Sequence, residues 1–94
     1  MQAMSSLPDG VSAYSRTRIF SAHSIPENLR KAHRTKDRTW AKIVVLKGRL
    51  RYRILEPDLC EFELSPDCPG VVEPQVPHEV EAKGDVRFYV ELYR

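Results

Sequence analysis

The stretch Arg49–Ile54 reads RLRYRI, and its basic and apolar residues alternate without interruption. Side chains alternate between the two faces of an extended strand, so Leu50, Tyr52 and Ile54 share one face and the three arginines share the other. A strict period of two over six residues predicts a β-strand with one buried face rather than a helix.

The segments on either side continue this pattern. Cys60–Leu64 (CEFEL) is a second alternating strand, and the carboxylates of Glu61 and Glu63 are expected to pair with the arginines across a hairpin. Thr39–Leu46 (TWAKIVVL) is rich in β-branched and aromatic residues, which predicts a strand buried on much of both faces. Between them, Lys47–Gly48 is predicted to be a two-residue turn.

The last third of the chain predicts further strands separated by turn signals. They are a short strand at Val71–Glu73, a bend between Pro74 and Pro77, a strand from His78 to Ala82, a turn at Lys83–Asp85 and a final strand at Val86–Tyr93. With a first strand at Tyr14–Phe20, the total is about seven or eight short strands and almost no helix. The fold class is therefore predicted to be all-β, as a small sandwich or barrel.

Length and composition indicate one small domain of 94 residues. Residues 1–13 are polar and are expected to form a flexible N-terminal leader, and residues 14–94 are expected to form the domain. No apolar run approaches the roughly 18 residues of a membrane helix, and no secretory signal is recognised, so no membrane contact and a cytoplasmic location are predicted. The net charge of +2 is weak and spread along strands, so nucleic-acid binding is not expected.

Four short motifs lie along the chain in a characteristic order, at His33–Lys36 (HRTK), Thr39–Lys42 (TWAK), Leu46–Gly48 (LKG) and Glu73–His78 (EPQVPH). Together they resemble the TehB/YeaR-like domain of tellurite-resistance proteins, within the cupin superfamily. The resemblance covers about Tyr14 to Tyr93. It implies a single-domain cupin, a double-stranded antiparallel β-barrel or jelly roll, with the motif histidines at His33 and His78.

Two histidines in such a barrel suggest a metal site. Neutral imidazole suits zinc, iron or nickel, and a catalytic zinc takes about three protein ligands. His33 and His78 supply two, and the third is expected from Glu73, Gln75 or Glu91. The chain lacks the His-x-His pair and following glutamate that metal-binding cupins usually carry, so a divalent transition metal would need this other ligand set.

Three further residues are expected to line the same pocket. Trp40 can bound it with the edge of its ring, Tyr89 lies on the strand face that carries Glu91, and Lys36 ends the motif that begins at His33. Each also has a purely structural interpretation, as a packed aromatic side chain or a solvated charge.

The resemblance also bears on the reaction. TehB-type proteins methylate through a separate domain that depends on S-adenosylmethionine, and this chain has no glycine-rich strand-to-helix loop for that cofactor, so no S-adenosylmethionine site is expected. Two functions stay open, and with them the question of whether the protein is an enzyme. One is a metal-binding small-molecule protein linked to tellurite or to oxidative or nitrosative stress. The other is a non-catalytic module, in a homodimer, that binds or senses a small-molecule or anionic ligand such as a metalloid.

Overall fold

The computed structural model describes residues 4–31 and 33–94. Within these residues the chain forms six strands and one short 3-10 helix, in the order β1 (Ala13–Arg16), β2 (Phe20–Ser21), the 3-10 helix (Glu27–Arg30), β3 (Trp40–Ile54), β4 (Cys60–Leu64), β5 (Gly70–Val72) and β6 (His78–Tyr93). The predicted all-β class is confirmed. No helix of the described residues has the length and apolar character needed to cross a bilayer.

A long antiparallel ribbon of β3 and β6 forms the centre of the sheet. The two strands pair from Trp40 opposite Tyr93 to Ile54 opposite His78. β4 pairs with the second half of β3 and β5 with its first half, while β1 and β2 pair with the second half of β6. Each of the other strands is therefore attached to this ribbon.

Two of the predicted turns are wrong, because β3 and β6 run through them. Lys47–Gly48 lies inside β3 and Lys83–Asp85 lies inside β6, where the pairing register shifts between Val45 and Arg49. Gly48 has φ +80°, and a Cβ atom there would lie 2.1 Å from the carbonyl oxygen of Asp85. The glycine permits a bulge in a continuous strand instead of a chain reversal, because it allows positive φ and close backbone approach. The chain consequently has fewer and longer strands than predicted.

The sheet does not close into the predicted barrel. The sheet is open among the described residues, since its path runs from β1 through β6 and β3 to β4 without a pairing that joins the two ends. Bulges bend and twist the strands that contain them, so the ribbon can curve over a core without closing.

The core lies on one side of this sheet. Leu50, Tyr52, Leu64, Val72, Val86 and Phe88 are fully buried. The opposite side of the β3–β4 hairpin carries the charged residues: Arg53 lies 2.9 Å from Glu61, and Arg49 lies 2.8 Å from Glu63. The predicted pairing of the arginines with the glutamates is confirmed.

The segment before β1 also contacts the sheet. The backbone N–H of Val71 donates to Sδ of Met4 over 3.1 Å, and Oγ of Ser5 donates to a carboxylate oxygen of Glu73 over 2.8 Å. Ser12 and Arg94 exchange two backbone hydrogen bonds of 3.1 Å. Met4, Ser5 and Ser12, which belong to the segment predicted to be a flexible leader, therefore have specific partners next to β5 and at the end of β6.

Candidate functional site

The structure brings His33 and His78 together. His78 is the first residue of β6, and His33 lies between the 3-10 helix and β3. Their backbones exchange two hydrogen bonds, of 2.7 Å from the N–H of His33 and 2.9 Å from the N–H of His78. The ring centroids are 5.3 Å apart, and the ring planes meet at 78°. An isolated two-residue bridge thus joins the two backbones, and the two imidazoles lie edge to face.

The ring of His78 is held in one tautomer. Its Nδ1 lies 3.0 Å from the carbonyl oxygen of Val76, and a carbonyl oxygen only accepts, so Nδ1 carries the hydrogen and Nε2 carries a lone pair. No side-chain nitrogen or oxygen of the described residues is both sealed from solvent and without a hydrogen-bond partner. Nε2 has no such partner among those residues, so it is not fully sealed from solvent.

Both rings favour the neutral form. Burial lowers the pKa of His78 below its usual 6.5; the hydrogen bond to Val76 opposes this change, and the neighbouring His33 adds to it. Burial also lowers the pKa of His33. At neutral pH the pair therefore presents two uncharged imidazoles.

The two histidines line a cavity of about 210 Å³. It lies between the 3-10 helix and strands β2, β3, β5 and β6, and most of its wall is apolar. The lining residues are Thr17, Phe20, Pro26, Asn28, Leu29, His33, Thr35, Ala41, Ile43, Val72, His78, Val80, Phe88, Val90 and Leu92. Among the described residues, no aspartate, glutamate, lysine or arginine lines this cavity. Small, mostly apolar pockets with a few polar groups are typical of ligand sites in proteins.

Thr35 positions the loop that leads into His78. Its Oγ1 accepts a hydrogen bond of 3.1 Å from the backbone N–H of Gln75 and donates one of 3.4 Å to the carbonyl oxygen of Glu73. Arg34 donates over 3.1 Å to the carbonyl oxygen of Gln75, whose φ is +61°. The sequence reasoning did not single out Thr35, although it is part of the same HRTK motif as His33.

The three proposed additional metal ligands lie elsewhere. Glu73 is exposed and accepts from Ser5, and Gln75 is exposed, with its backbone rather than its side chain bound to Thr35 and Arg34. Glu91 lies on the other face of β6, between the cavity residues Val90 and Leu92, and accepts a hydrogen bond from the hydroxyl of Tyr93.

The predicted divalent metal cofactor is therefore wrong. Nowhere in residues 4–31 and 33–94 do three or more histidine, cysteine, aspartate or glutamate side chains form a group that could hold an ion. His33 and His78 supply two ligands, and strand alternation turns Glu91 away from them. Two imidazoles alone do not make the roughly three protein ligands that a catalytic zinc needs.

The three residues expected to line the pocket also lie outside the cavity. Trp40 and Tyr89 are half-buried on the opposite face of the sheet, since Ala41 and Phe88 beside them point inward. The guanidinium of Arg16 lies 5.2 Å from the centre of the Tyr89 ring. Lys36 is exposed in the turn that precedes β3. Two cavity residues that the sequence did not reveal are Phe20 and Leu29, for which residue type alone gives no signal.

Comparison with known proteins identifies related sequences. The chain is 33% identical over 76 residues to a protein of Haemophilus influenzae (strain Rd) named "Probable S-adenosyl-L-methionine-dependent methyltransferase TehB". A protein of the same name from Haemophilus influenzae (strain 10810) is 32% identical over 76 residues. Each match covers 77% of this chain and 27% of the relative, so the chain spans about a quarter of the length of these proteins.

These names correct the second part of the cofactor prediction. The chain was predicted to have no S-adenosylmethionine site, but both relatives are named for dependence on that cofactor. The exclusion of S-adenosylmethionine is therefore wrong. It rested on the lack of one glycine-rich loop pattern, and a single motif is a weak basis for excluding a cofactor.

Comparisons with solved structures and with a family model are consistent with these sequence matches. The crystal structure of TehB from Haemophilus influenzae superposes with a TM-score of 0.83 at 30% identity, over 90% of this chain and 32% of that chain. A protein from E. coli (strain K12) shares the fold, with a TM-score of 0.87 at 16% identity over 97% of both chains. The family model described as the TehB-like domain matches residues 15–90. The chain belongs to the TehB-like family.

Proposed function

We propose that this chain is a non-catalytic small-molecule-binding domain of the TehB-like family. The observation that carries the proposal is the cavity of about 210 Å³, in which two neutral imidazoles interrupt a mostly apolar wall. Convergent polar groups in an apolar pocket supply orientation and specificity for a ligand, while the wall supplies most of the binding free energy.

The arrangement of backbone around the histidines supports binding rather than packing alone. The two-residue bridge fixes His33 and His78, and Thr35 fixes the loop before His78. Side chains held in this way lose little conformational freedom when a ligand arrives, so less of the binding free energy is lost to ordering. A histidine that served only to fill the core would not need a ring nitrogen open to the cavity.

We further propose that the ligand serves methyl transfer in larger members of the family. The relatives are named S-adenosyl-L-methionine-dependent methyltransferases, and the region matched by this chain is about a quarter of their length. A domain of this size can hold or deliver the small molecule on which another part of the protein acts. We extend this proposal to a role of the domain in tellurite resistance or in the response to oxidative or nitrosative stress.

The test is a titration of the whole 94-residue chain, isotopically labelled, with a set of small uncharged aromatic and aliphatic molecules and, separately, with S-adenosylmethionine. Saturable NMR shifts confined to the cavity residues are the expected result, weakened in His78→Leu for molecules that carry a hydrogen-bond donor and unchanged in His23→Leu. His23 is exposed and lies outside the cavity, which makes it a matched control. Shifts that spread over the surface without saturation, for every molecule tried, would contradict the proposal.

We propose in addition that the domain is a cytoplasmic homodimer of the cupin superfamily. The motif order and the placement of the two histidines support the superfamily assignment. The dimer is supported by an outer surface on which Ile19 and Leu46 are exposed beside Tyr89. The same face carries Arg16 and Glu91, so two copies related by a twofold axis can pair opposite charges.

A further inference from the structure

We infer that the cavity binds an uncharged molecule of single-ring size that carries a hydroxyl group, as an alcohol or a phenol does. This inference rests on the proposed function, because it names the class of ligand for the same cavity. It is argued from the bonding state of His78, from the absence of charge in the cavity wall and from the cavity volume.

The first argument is that the ring nitrogen Nε2 of His78 accepts a hydrogen bond and does not donate one. Nδ1 of His78 donates to the carbonyl oxygen of Val76, which leaves a lone pair on Nε2 of this cavity-lining side chain. A lone pair accepts a hydrogen bond, so the complementary ligand group is an O–H or N–H donor. A purely apolar ligand would bury Nε2 without a partner, which is unfavourable.

The second argument is that one ligand group can hydrogen-bond to both histidines. A neutral imidazole keeps one N–H, and His33 uses neither ring nitrogen in a hydrogen bond to the described residues. With the ring centroids 5.3 Å apart, one hydroxyl group can donate to Nε2 of His78 and accept from the N–H of His33. A hydroxyl group meets both requirements with a single atom, whereas an ether or a ketone can only accept.

The third argument is charge. In the part of the chain that the structure describes, no lysine or arginine lines the cavity, so an anion entering it would lose water without gaining a cation. Arg34, the nearest arginine in sequence to His33, is directed to the carbonyl oxygen of Gln75 and to Glu56 instead. This wall favours an uncharged ligand over the anionic one considered from the sequence.

The fourth argument is size. An engineered apolar cavity of about 150 Å³ in another protein binds benzene, so about 210 Å³ accommodates a ring with one substituent. The rings of Phe20 and Phe88, whose centroids are 5.6 Å apart, form part of the wall and suit an aromatic or compact aliphatic body.

The experiment compares phenol, anisole, toluene and benzoate by NMR titration of the whole chain at neutral pH. Phenol is uncharged there, since phenolic groups have pKa values near 10. We expect phenol to bind about tenfold more tightly than anisole or toluene, because only phenol donates to Nε2. Benzoate is expected to show no saturable shift at concentrations that saturate with phenol.

Variants of His78 test whether the preference for phenol arises at this residue. His78→Leu is expected to abolish the preference for phenol over toluene while toluene still binds, and His78→Gln, which retains an acceptor oxygen, is expected to keep part of it. His23→Leu is the control outside the cavity. If either His78 variant fails to fold, the four-ligand series in the natural chain still decides the inference.

The outcomes separate the two proposals. If none of the uncharged ligands binds at the cavity, the proposed function fails. If they bind there but anisole equals phenol, or benzoate binds most tightly, the cavity is a ligand site and the inference about its hydroxyl-bearing, uncharged ligand is overturned.

Discussion

One hydrogen bond to a backbone carbonyl determines what His78 can do. Because Val76 occupies Nδ1, the ring offers only an acceptor to the cavity, and it loses that acceptor when it is protonated. A protonated ring would instead present a charged donor to an apolar wall. The chemistry of this residue therefore depends on pH in a range that proteins commonly meet.

The first prediction concerns the stability of the protein as pH falls. Burial lowers the pKa values of His33 and His78 below 6.5, so in mildly acidic solution the unfolded chain binds more protons than the folded chain. The stability that the neutral rings contribute is complete above about pH 6.5 and is lost as pH falls through the folded-state pKa values. The free energy of unfolding, measured by urea titration, should decline with a slope of at most about 1.4 kcal/mol per pH unit for each proton.

Single variants identify the groups responsible for that slope. His78→Gln should flatten it, while His23→Gln, which changes an exposed histidine, should leave it unchanged. Lys47 holds the pKa of Asp85 below its usual 3.8, so that carboxylate titrates at lower pH than the two histidines. A slope that is the same in His78→Gln as in the natural chain would contradict the assignment.

The second prediction concerns Arg53, whose side chain is only 20% exposed and contacts three carboxylates. Its contacts are 2.9 Å to Glu61, 2.8 Å to Glu79 and 3.0 Å to Glu81. Arg53→Met would leave the half-buried Glu79 without its cation, and it should lower the free energy of unfolding by more than the loss of a single exposed ion pair does. Urea unfolding in low and high salt measures this loss.

Arg49→Met is the matched control for Arg53. Arg49 pairs with Glu63, but the two side chains are 65% and 53% exposed, so the loss should stay below about 1 kcal/mol. Equal losses in the two variants would show that burial does not distinguish these ion pairs.

The sequence predicted part of the site and missed the rest for a physical reason. The motifs around His33 and His78 indicated that the two rings belong to one site, and the structure brings them together. The carboxylates could not be placed, because the bend from Pro74 to Pro77 interrupts the alternation on which any assignment of faces depends. Thr35 was missed because its role lies in bonds to the backbone of a distant loop, which residue type does not reveal.

At the level of elements, the fold depends on glycines that bend strands without ending them. Gly48 in β3 and Gly84 in β6 both have positive φ, of +80° and +83°. They differ in their surroundings, because a Cβ atom on Gly48 would overlap the carbonyl oxygen of Asp85, while one on Gly84 would have no heavy atom within 4 Å. Comparing substitutions at the two glycines therefore separates the cost of backbone strain from the cost of steric overlap.

The third prediction uses this difference. Gly84→Ala should cost about 1–2 kcal/mol, the usual penalty for a side chain in the left-handed region. Gly48→Ala should cost about 1–3 kcal/mol more, because the bulge must also move away from Asp85. Urea unfolding of both variants measures the two losses, and equal values would show that the close approach at Gly48 relaxes without cost.

The same glycines explain how far the sequence could predict the fold. The alternating strands at Arg49–Ile54 and Cys60–Leu64, and the pairing between them, follow from a period of two. Lys47–Gly48 and Lys83–Asp85 were predicted as turns because a glycine with positive φ serves a hairpin and a bulge equally well. Only the long-range pairing of β3 with β6 decides between them, and that pairing is not encoded locally.

At the scale of the whole molecule, the fourth prediction concerns self-association. Ile19 is 56% exposed and Leu46 48% exposed, and both lie beside Tyr89 on the outer face of the sheet. If a second copy covers this face, Leu46→Lys should shift the protein from dimer to monomer in light scattering coupled to size-exclusion chromatography. Leu59→Lys is the control, since Leu59 is 64% exposed and does not line that surface. A monomeric natural chain would refute the dimer.

The central place of β6 also affects how the protein is made. β1, β2 and β3 all pair with this strand, yet it is the last of the six strands to be synthesised. Translation proceeds at about 5–20 residues per second, so the N-terminal strands wait on the order of several seconds for their partner. During that time Phe20 lacks Phe88, its partner in the folded chain. The pairings of β1, β2 and β3 with β6 can therefore form only after β6 has been synthesised.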